Sequence, residues 1–164
     1  MRLFHRSKPD VEGAWQRHAD ALYRVALARL TNDADAQDVV QDVFLNYMTA
    51  EPVFENADHE RAWFLKATVN RCYDLIRKNQ IRVAIPLEEA LGVAAQDNNG
   101  VTELMELLEQ IPEIYKDTVI LHCLEGYSLE ETAKILGISL SAAKMRLSRA
   151  REVLRALREE GNDV

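Results

Sequence analysis

With 164 residues, the chain has room for one ordinary domain or two small ones, and a hydrophobic fraction of 48% with only 6 Gly and 4 Pro excludes long disordered tracts. No apolar run approaches the roughly 20 residues needed to span a bilayer. A formal net charge of -7 excludes recruitment of nucleic acid by the overall field, so any contact with DNA has to come from local basic patches.

The first run, MRLFHRSKPDVEG, carries positive charge with no apolar stretch behind it, unlike a secretory signal. A cytoplasmic protein with no direct membrane insertion is therefore expected. Trp15, Ala19, Leu22, Tyr23, Ala26 and Leu30 recur at three- and four-residue steps, making one stripe on a helix that ends near Thr31-Asn32. Asp33 is placed to cap a second helix whose buried side is Val39, Val40, Val43, Phe44, Tyr47 and Met48, and Glu51-Pro52 stops it. The opposite side carries Asp35, Asp38, Gln41 and Asp42, extended by Leu45 and Asn46. Taken alone, such an acidic face is a solvated surface.

Residues 52–58 read as a loop, after which a third helix carries Ala62, Leu65, Val69, Cys72 and Ile76 inward. Its other face holds Lys66, Asn70, Asp74, Arg77 and Lys78, with Arg71 on a flank and Trp63, Phe64 and Tyr73 interleaved. Two readings of these aromatics stand side by side. They belong to the core of a small three-helix unit, or they stack on unpaired bases beside basic side chains, as single-stranded nucleic acid binding requires.

Between Ala84 and Gly100 the helical pattern decays into a linker, with a short helical turn at LEEAL and turn-forming residues in QDNNG. Thr102 is a candidate cap for ELMELLEQI, Pro112 breaks that helix, and EIYKDTVILHCLEG resumes it. Gly126 suits a left-handed helix end, and Ser128 with Glu131 forms a capping box for the short helix LEETAKIL, which closes at Gly137. A final helix runs from about Leu140 to Glu159. Two helices joined by a tight glycine turn, the second long and basic, make a helix-turn-helix. On that last helix Ala143, Leu147, Ala150 and Leu154 step inward, so Ser141, Lys144, Met145, Ser148 and Arg149 face out. Lys144 and Arg149 reach base edges or phosphates, the two serines serve either, and Arg146 and Arg151 hold the DNA backbone. A basic C-terminal helix also complements its own macrodipole, and Arg155 and Arg158 fit that simpler account. Charge that begins directly after Gly137-Ile138-Ser139 favours DNA binding.

Cys72 and Cys123 both fall in apolar-periodic segments and read as buried small hydrophobes of a reducing compartment. His122-Cys123 has no second ligand pair at metal-binding spacing. No Ser/His/Asp order, phosphate-binding glycine loop or HExxH occurs, so neither enzyme activity, metal nor cofactor is expected.

Three linked motifs resemble the bacterial sigma factors of RNA polymerase, in their extracytoplasmic-function branch. DADAQDVVQDVFLNYM looks like the family's core-polymerase-binding helix, and HERAWFLKATVNRCYDLIRKNQ like its helix for melting and reading the minus-ten element. LLEQIPEIYKDTVILHCLEGYSLEETAKILGISLSAAKMRLSRARE looks like its minus-thirty-five-reading domain. The resemblance implies an all-α chain of two small helical domains: a three-helix region 2-like domain over residues 11–83, a linker over 84–101, and a four-helix region 4-like domain over 102–160.

It also implies a non-enzymatic factor that joins core RNA polymerase and directs it to promoter DNA. Asp35, Asp38, Gln41 and Asp42 become polymerase contacts. Asn56, Trp63, Lys66, Asn70, Arg71, Arg77 and Lys78 become minus-ten contacts, with Asn56 in the loop PVFENAD that can capture a flipped promoter base. Ser139, Ser141, Lys144, Met145, Arg146, Ser148 and Arg149 become minus-thirty-five contacts. Ala143 and Met145 depart from the family's usual β-branched and small polar residues at those positions. An anti-sigma factor is a further implied partner. Two other readings compete: a stand-alone helix-turn-helix regulator, and a sigma-like module that binds partners without initiating transcription.

Overall fold

The structure, a computed structural model, describes residues 8–81 and 99–162. Every regular element among the described residues is helical: α1 (Val11–Leu30), α2 (Asp33–Ala50), α3 (Ala57–Ile81), α4 (Asn99–Gln110), α5 (Glu113–Val119), a π-helical turn (Ile120–Leu124), α6 (Leu129–Leu136) and α7 (Leu140–Asn162). The expected turn at LEEAL lies outside the described residues.

Local chemistry sets the helix ends. Asp10 caps α1 by accepting from Gly13 N at 3.0 Å. Thr31 closes that helix in the left-handed region, with φ 55°, an uncommon conformation for a β-branched residue that the tight reversal into α2 imposes. Asn32, not Asp33, caps α2: its side chain accepts from Asp35 N at 3.0 Å. Asp33 is instead taken up by Tyr23 Oη and by Gln37 Nε2. Ser128 caps α6 as expected, and Gly126 and Gly137 both hold positive φ at helix ends. By contrast, α4 begins at Asn99, ahead of Thr102 and through part of QDNNG. Once the strongly amphipathic LMELL stripe has nucleated a helix, adding a weak residue costs less than starting a new one.

The α1–α3 core centres on Phe64, which is fully buried. Its ring packs at centroid distances of 5.2 Å from Phe44, 5.0 Å from Tyr47 and 5.1 Å from Trp63, and it stacks on the His18 imidazole at 4.7 Å. Truncating such a residue to Ala costs about 3–5 kcal/mol. Phe64 therefore belongs to the core.

Three expectations about burial are corrected. Trp15 and Met48 are 47% and 48% exposed, and the buried stripe of α1 is Ala14, His18, Ala19, Leu22, Val25, Ala26 and Arg29, of which Ala19, Leu22 and Ala26 were expected. The stripe is turned because two of its members are polar: His18 meets Glu60, and Arg29 meets Glu113 and Asp117. Cys72 is buried, and burial pushes its thiol up to about 12, but Cys123 is exposed. It sits on the π-helical turn, where Glu125 N reaches back five residues to Ile120 O at 3.0 Å; the wider turn puts later residues out of phase with an α-helical pattern.

The N-terminal and C-terminal helices meet. α3 lies against α6 and α1 against the π-helical turn. Ion pairs cross this boundary: Arg29 to Glu113 and Asp117, and Arg24 to Glu125.

Candidate functional site

The α2 face is set by the inward pull of Ala36, Val39, Val43 and Tyr47. Asp38 and Gln41 are exposed opposite them, and Leu45 stands beside them at 59% exposure. Asp35 is half-buried at the first turn, where negative charge suits the helix N-terminus. Asp42 is also half-buried, because Arg71 of α3 donates to its carboxylate at 2.8 Å.

That ion pair forms part of the wall of an open groove of about 700 Å³ between α2 and α3. Trp63, Lys66, Asn70 and Arg71 line it from α3, with Asp42 and Asn46 opposite. Four of the seven expected minus-ten residues thus share one concavity, joined by one of the expected polymerase contacts. Arg77 and Lys78 lie exposed farther along α3, with the Arg77 guanidinium 5.8 Å from the centroid of the exposed Tyr73 ring. Asn56 sits at the other end, and its side chain caps α3 by accepting from His59 N at 2.8 Å. Trp63 is half-buried, with one part in the aromatic core and another in the groove.

α7 is sorted by face as its spacing implies. Ala143, Leu147 and Ala150 are buried, while Ser141, Lys144, Met145, Ser148 and Arg149 are exposed. Ser139 begins the helix, its Oγ accepting from Ala142 N at 3.1 Å. Arg146 departs from the group: it is half-buried, and its charge acts on Asp117. Lys144, Ser148, Arg151 and Arg155 line a second groove, of about 410 Å³, with Leu129 of α6. Arg155 is exposed, as the macrodipole account expects, and lies at the edge of this groove.

Two features of the surroundings went unread in the sequence. Glu60 of α3 pins α1, with Oε1 2.7 Å from His18 Nε2 and 3.0 Å from Arg17 Nε. Burial pushes the Glu60 carboxyl up, but the hydrogen bonds to His18 and Arg17 outweigh it and hold the group below its ordinary range. The other feature is Arg29, whose side chain is 3% exposed. Burial alone would lower its pKa, and the facing Asp117 and Glu113 carboxylates more than offset that, keeping the guanidinium charged. The signal for both was a polar residue on an otherwise apolar helical stripe.

Residues 14–81 match the sigma-70 region 2 family, and residues 102–154 match sigma-70 region 4. Over 141 residues the chain is 31% identical to the RNA polymerase sigma factor SigV of Bacillus subtilis, covering 84% of each chain. The chain belongs to the sigma-70 family of RNA polymerase sigma factors.

Within that family this sigma factor falls in the extracytoplasmic-function branch. It is 29% identical over 157 residues to the ECF RNA polymerase sigma factor SigE of Mycolicibacterium smegmatis, spanning 90% of this chain and 61% of that one. Its fold matches the solved structure of CnrH in complex with the cytosolic domain of CnrY, with a TM-score of 0.70 and 28% identity over 92% of this chain and 88% of that one. Like the rest of its family, it is a transcription initiation factor and not an enzyme. Among the described residues, no helix is long and apolar enough to cross a membrane.

Proposed function

We propose that this sigma factor divides its work between surfaces of opposite charge. The exposed face of α2, with Asp38 and Gln41 around Leu45 and with Asp35 and Asp42 at its margins, seats on core RNA polymerase in the cytoplasm. The groove between α2 and α3 receives opened minus-ten DNA on Trp63, Lys66, Asn70 and Arg71, and Arg77 and Lys78 hold the strand beyond it. Asn56 faces the same strand from the start of α3. The α7 face reads duplex minus-thirty-five DNA through Ser141, Lys144, Met145, Ser148 and Arg149, with Ser139 fixing the helix start and Arg146 bracing it from behind. Residues 11–83 and 102–160 are the two functional units, and 84–101 is the linker between them.

The observation that carries this reading is the sorting of charge by helix. α2 offers the carboxylate of Asp38 and the apolar side chains of Leu45 and Met48 to solvent and exposes no Lys or Arg, whereas the exposed cations Lys66, Arg77 and Lys78 lie on α3 and Lys144, Arg149 and Arg151 on α7, with exposed carboxylates among them at Asp74 and Glu152. Such an arrangement lets an acidic chain bind a polyanion locally while docking on a basic partner elsewhere. An anti-sigma factor is a further proposed partner, as the family resemblance implies; CnrH, which shares this fold, has been solved with the cytosolic domain of CnrY bound.

Template opening tests the reading. Core polymerase with this protein is expected to render promoter thymines reactive to permanganate around the minus-ten element. Tight, specific duplex binding by the protein alone, with no opening on adding polymerase, would favour a stand-alone regulator instead.

A further inference from the structure

α3 opens with a reciprocal cap in which a histidine stands where glutamate or glutamine is usual. Asn56 accepts from His59 N at 2.8 Å, and His59 reaches back in turn, its Nδ1 accepting from the backbone N–H of Glu55 at 3.1 Å. In an ordinary capping box the third helical residue is Glu or Gln, and its side chain returns to the backbone N–H of the cap residue itself. Here the returning bond falls one residue earlier. His59 therefore holds the loop that leads into α3 as well as the helix end.

Residues 52–56 belong to no helix, and the same ring steadies them a second time. Phe54 meets the His59 imidazole edge to face, with centroids 5.4 Å apart and planes at 85°. The other side of Phe54 is packed on Tyr47, Trp63 and Phe64. Next to this anchor Val53 stands out at 81% exposure, so the loop has little else to fix it.

The bond from Glu55 constrains the state of the ring. A neutral imidazole with its proton on Nε2 accepts at Nδ1, whereas an imidazolium carries N–H groups at both nitrogens and accepts at neither. Protonation would set two N–H groups against each other and break the bond. Imidazole is the side chain that changes charge between about pH 5 and 8, so this cap, unlike one built on glutamine, is sensitive to pH in that range. Around His59 in the chain stand Glu51 and Glu55 before α3, and Asp58, Glu60 and Arg61 within it. Asp58 and Arg61 pair at 2.9 Å, and Glu60 is taken up by Arg17 and His18 of α1. α2 approaches through Tyr47, whose ring lies 6.4 Å from that of Phe54. His18 is the other imidazole of this set, so a substitution is needed to assign a pH response.

We infer that His59 is the positioning residue of this loop. As a neutral imidazole it fixes Glu55 and so sets the loop, with Asn56, against the opened strand; on gaining a proton it lets the loop go, and template opening falls. The part played in opening rests on the assignment of Asn56 to promoter DNA; the bond between Nδ1 and Glu55 does not.

The test begins with nuclear magnetic resonance on the free, isotope-labelled protein, in a series from about pH 8 to about pH 5.5. The Glu55 amide signal should shift with the same midpoint as the His59 ring. It should stay still in His59→Asn, whose Oδ1 takes the place of Nδ1 and accepts at any pH. A Glu55 amide blind to the titration of His59 would overturn the positioning role. Permanganate reactivity of promoter DNA with saturating core polymerase gives the second readout, and comparing variants at each pH cancels the polymerase's own response. Wild type and His59→Asn should open the template alike near about pH 8 and diverge about fivefold near about pH 5.5, the factor that corresponds to one ordinary hydrogen bond. His59→Leu, which cannot accept, should be low throughout. A constant ratio of wild type to His59→Asn would contradict the proposal, as would full opening by His59→Leu when Asn56→Asp lowers it. If neither His59→Leu nor Asn56→Asp alters opening while Glu55 follows His59, the assignment of Asn56 to DNA fails and the role in opening fails with it.

Discussion

Arg71 of α3 donates through Nε to the Asp42 carboxylate of α2 at 2.8 Å, so a side chain lining the α2–α3 groove holds one from the acidic side of α2. The two side chains are 33% and 40% exposed, and a pair this accessible contributes at most about 1 kcal/mol to stability. Under the proposed assignment the pair couples two surfaces: a polymerase cation taking Asp42 would release Arg71 into the α2–α3 groove. The acidic face and the groove are not independent surfaces.

Charge reversal at the two aspartates should therefore differ. Asp38→Arg is expected to weaken core polymerase binding at least tenfold, about 1.4 kcal/mol, with little change in melting temperature, because an exposed charge contributes little to folding. Asp42→Arg should weaken polymerase binding and also displace Arg71, lowering template opening by polymerase supplied in saturating amount. Co-purification and permanganate reactivity check the two effects separately. Unchanged polymerase binding in Asp38→Arg would remove α2 from the interface.

Asn56 has two tasks that substitution can separate. Asn56→Ala removes the cap on α3 and should cost about 1 kcal/mol of stability, measured by urea unfolding. Asn56→Asp keeps an acceptor for His59 N and should remain close to wild type in stability. If Asn56 also meets a promoter base, Asn56→Asp should still reduce template opening, since a carboxylate repels the strand and lacks the amide donor. Wild-type opening by Asn56→Asp would leave the residue as a cap only.

Lys144 is exposed on the N-terminal half of α7, where a reading helix meets base edges. Lys144→Ala should change preference at the upstream element by up to about 1–3 kcal/mol at one base position and leave core polymerase binding alone. Binding by the reconstituted complex to a panel of single-base promoter variants reads this directly. Uniform weakening across the panel would make Lys144 a phosphate contact.

Glu60 gives a pH dependence with a definite sign. Its folded-state pKa is held below the ordinary value of 4.5, so its contribution to stability is present above that value and is lost as pH falls through the lower, native one. The stability difference between wild type and Glu60→Gln should be full near about pH 6 and shrink toward about pH 3. A difference that does not vary over that range would mean that packing, and not charge, accounts for the effect of the substitution.

The sequence was most readable where one face is uniformly apolar. Ala143, Leu147 and Ala150 pack inward on α7 with no polar residue among them, so the outward set followed directly. Capping at Ser128 and the reversal at Gly137 were equally plain, because each depends on contacts within a few residues. On α1 the periodicity places Ala19, Leu22 and Ala26 inward but misses two polar members: hydropathy cannot credit His18 or Arg29 to a core when the carboxylates that make their burial tolerable lie 42 to 88 residues away. Cys123 was misread because a π-helical turn shifts the phase on which periodicity relies. The pairing of Asp42 with Arg71 had no local signal at all. Asp42 reads as part of a solvated acidic face, and Arg71 as a residue on the flank of its own helix.

Promoter-dependent run-off transcription on a linear duplex, using core polymerase with and without this protein, tests the central claim most directly. Discrete transcripts from one start site are expected only when the protein is present, and they should disappear with Asp38→Arg and move to altered promoters with Lys144→Ala. Stable binding to core polymerase with no transcript from any template would contradict it and leave a chain that holds polymerase without directing it.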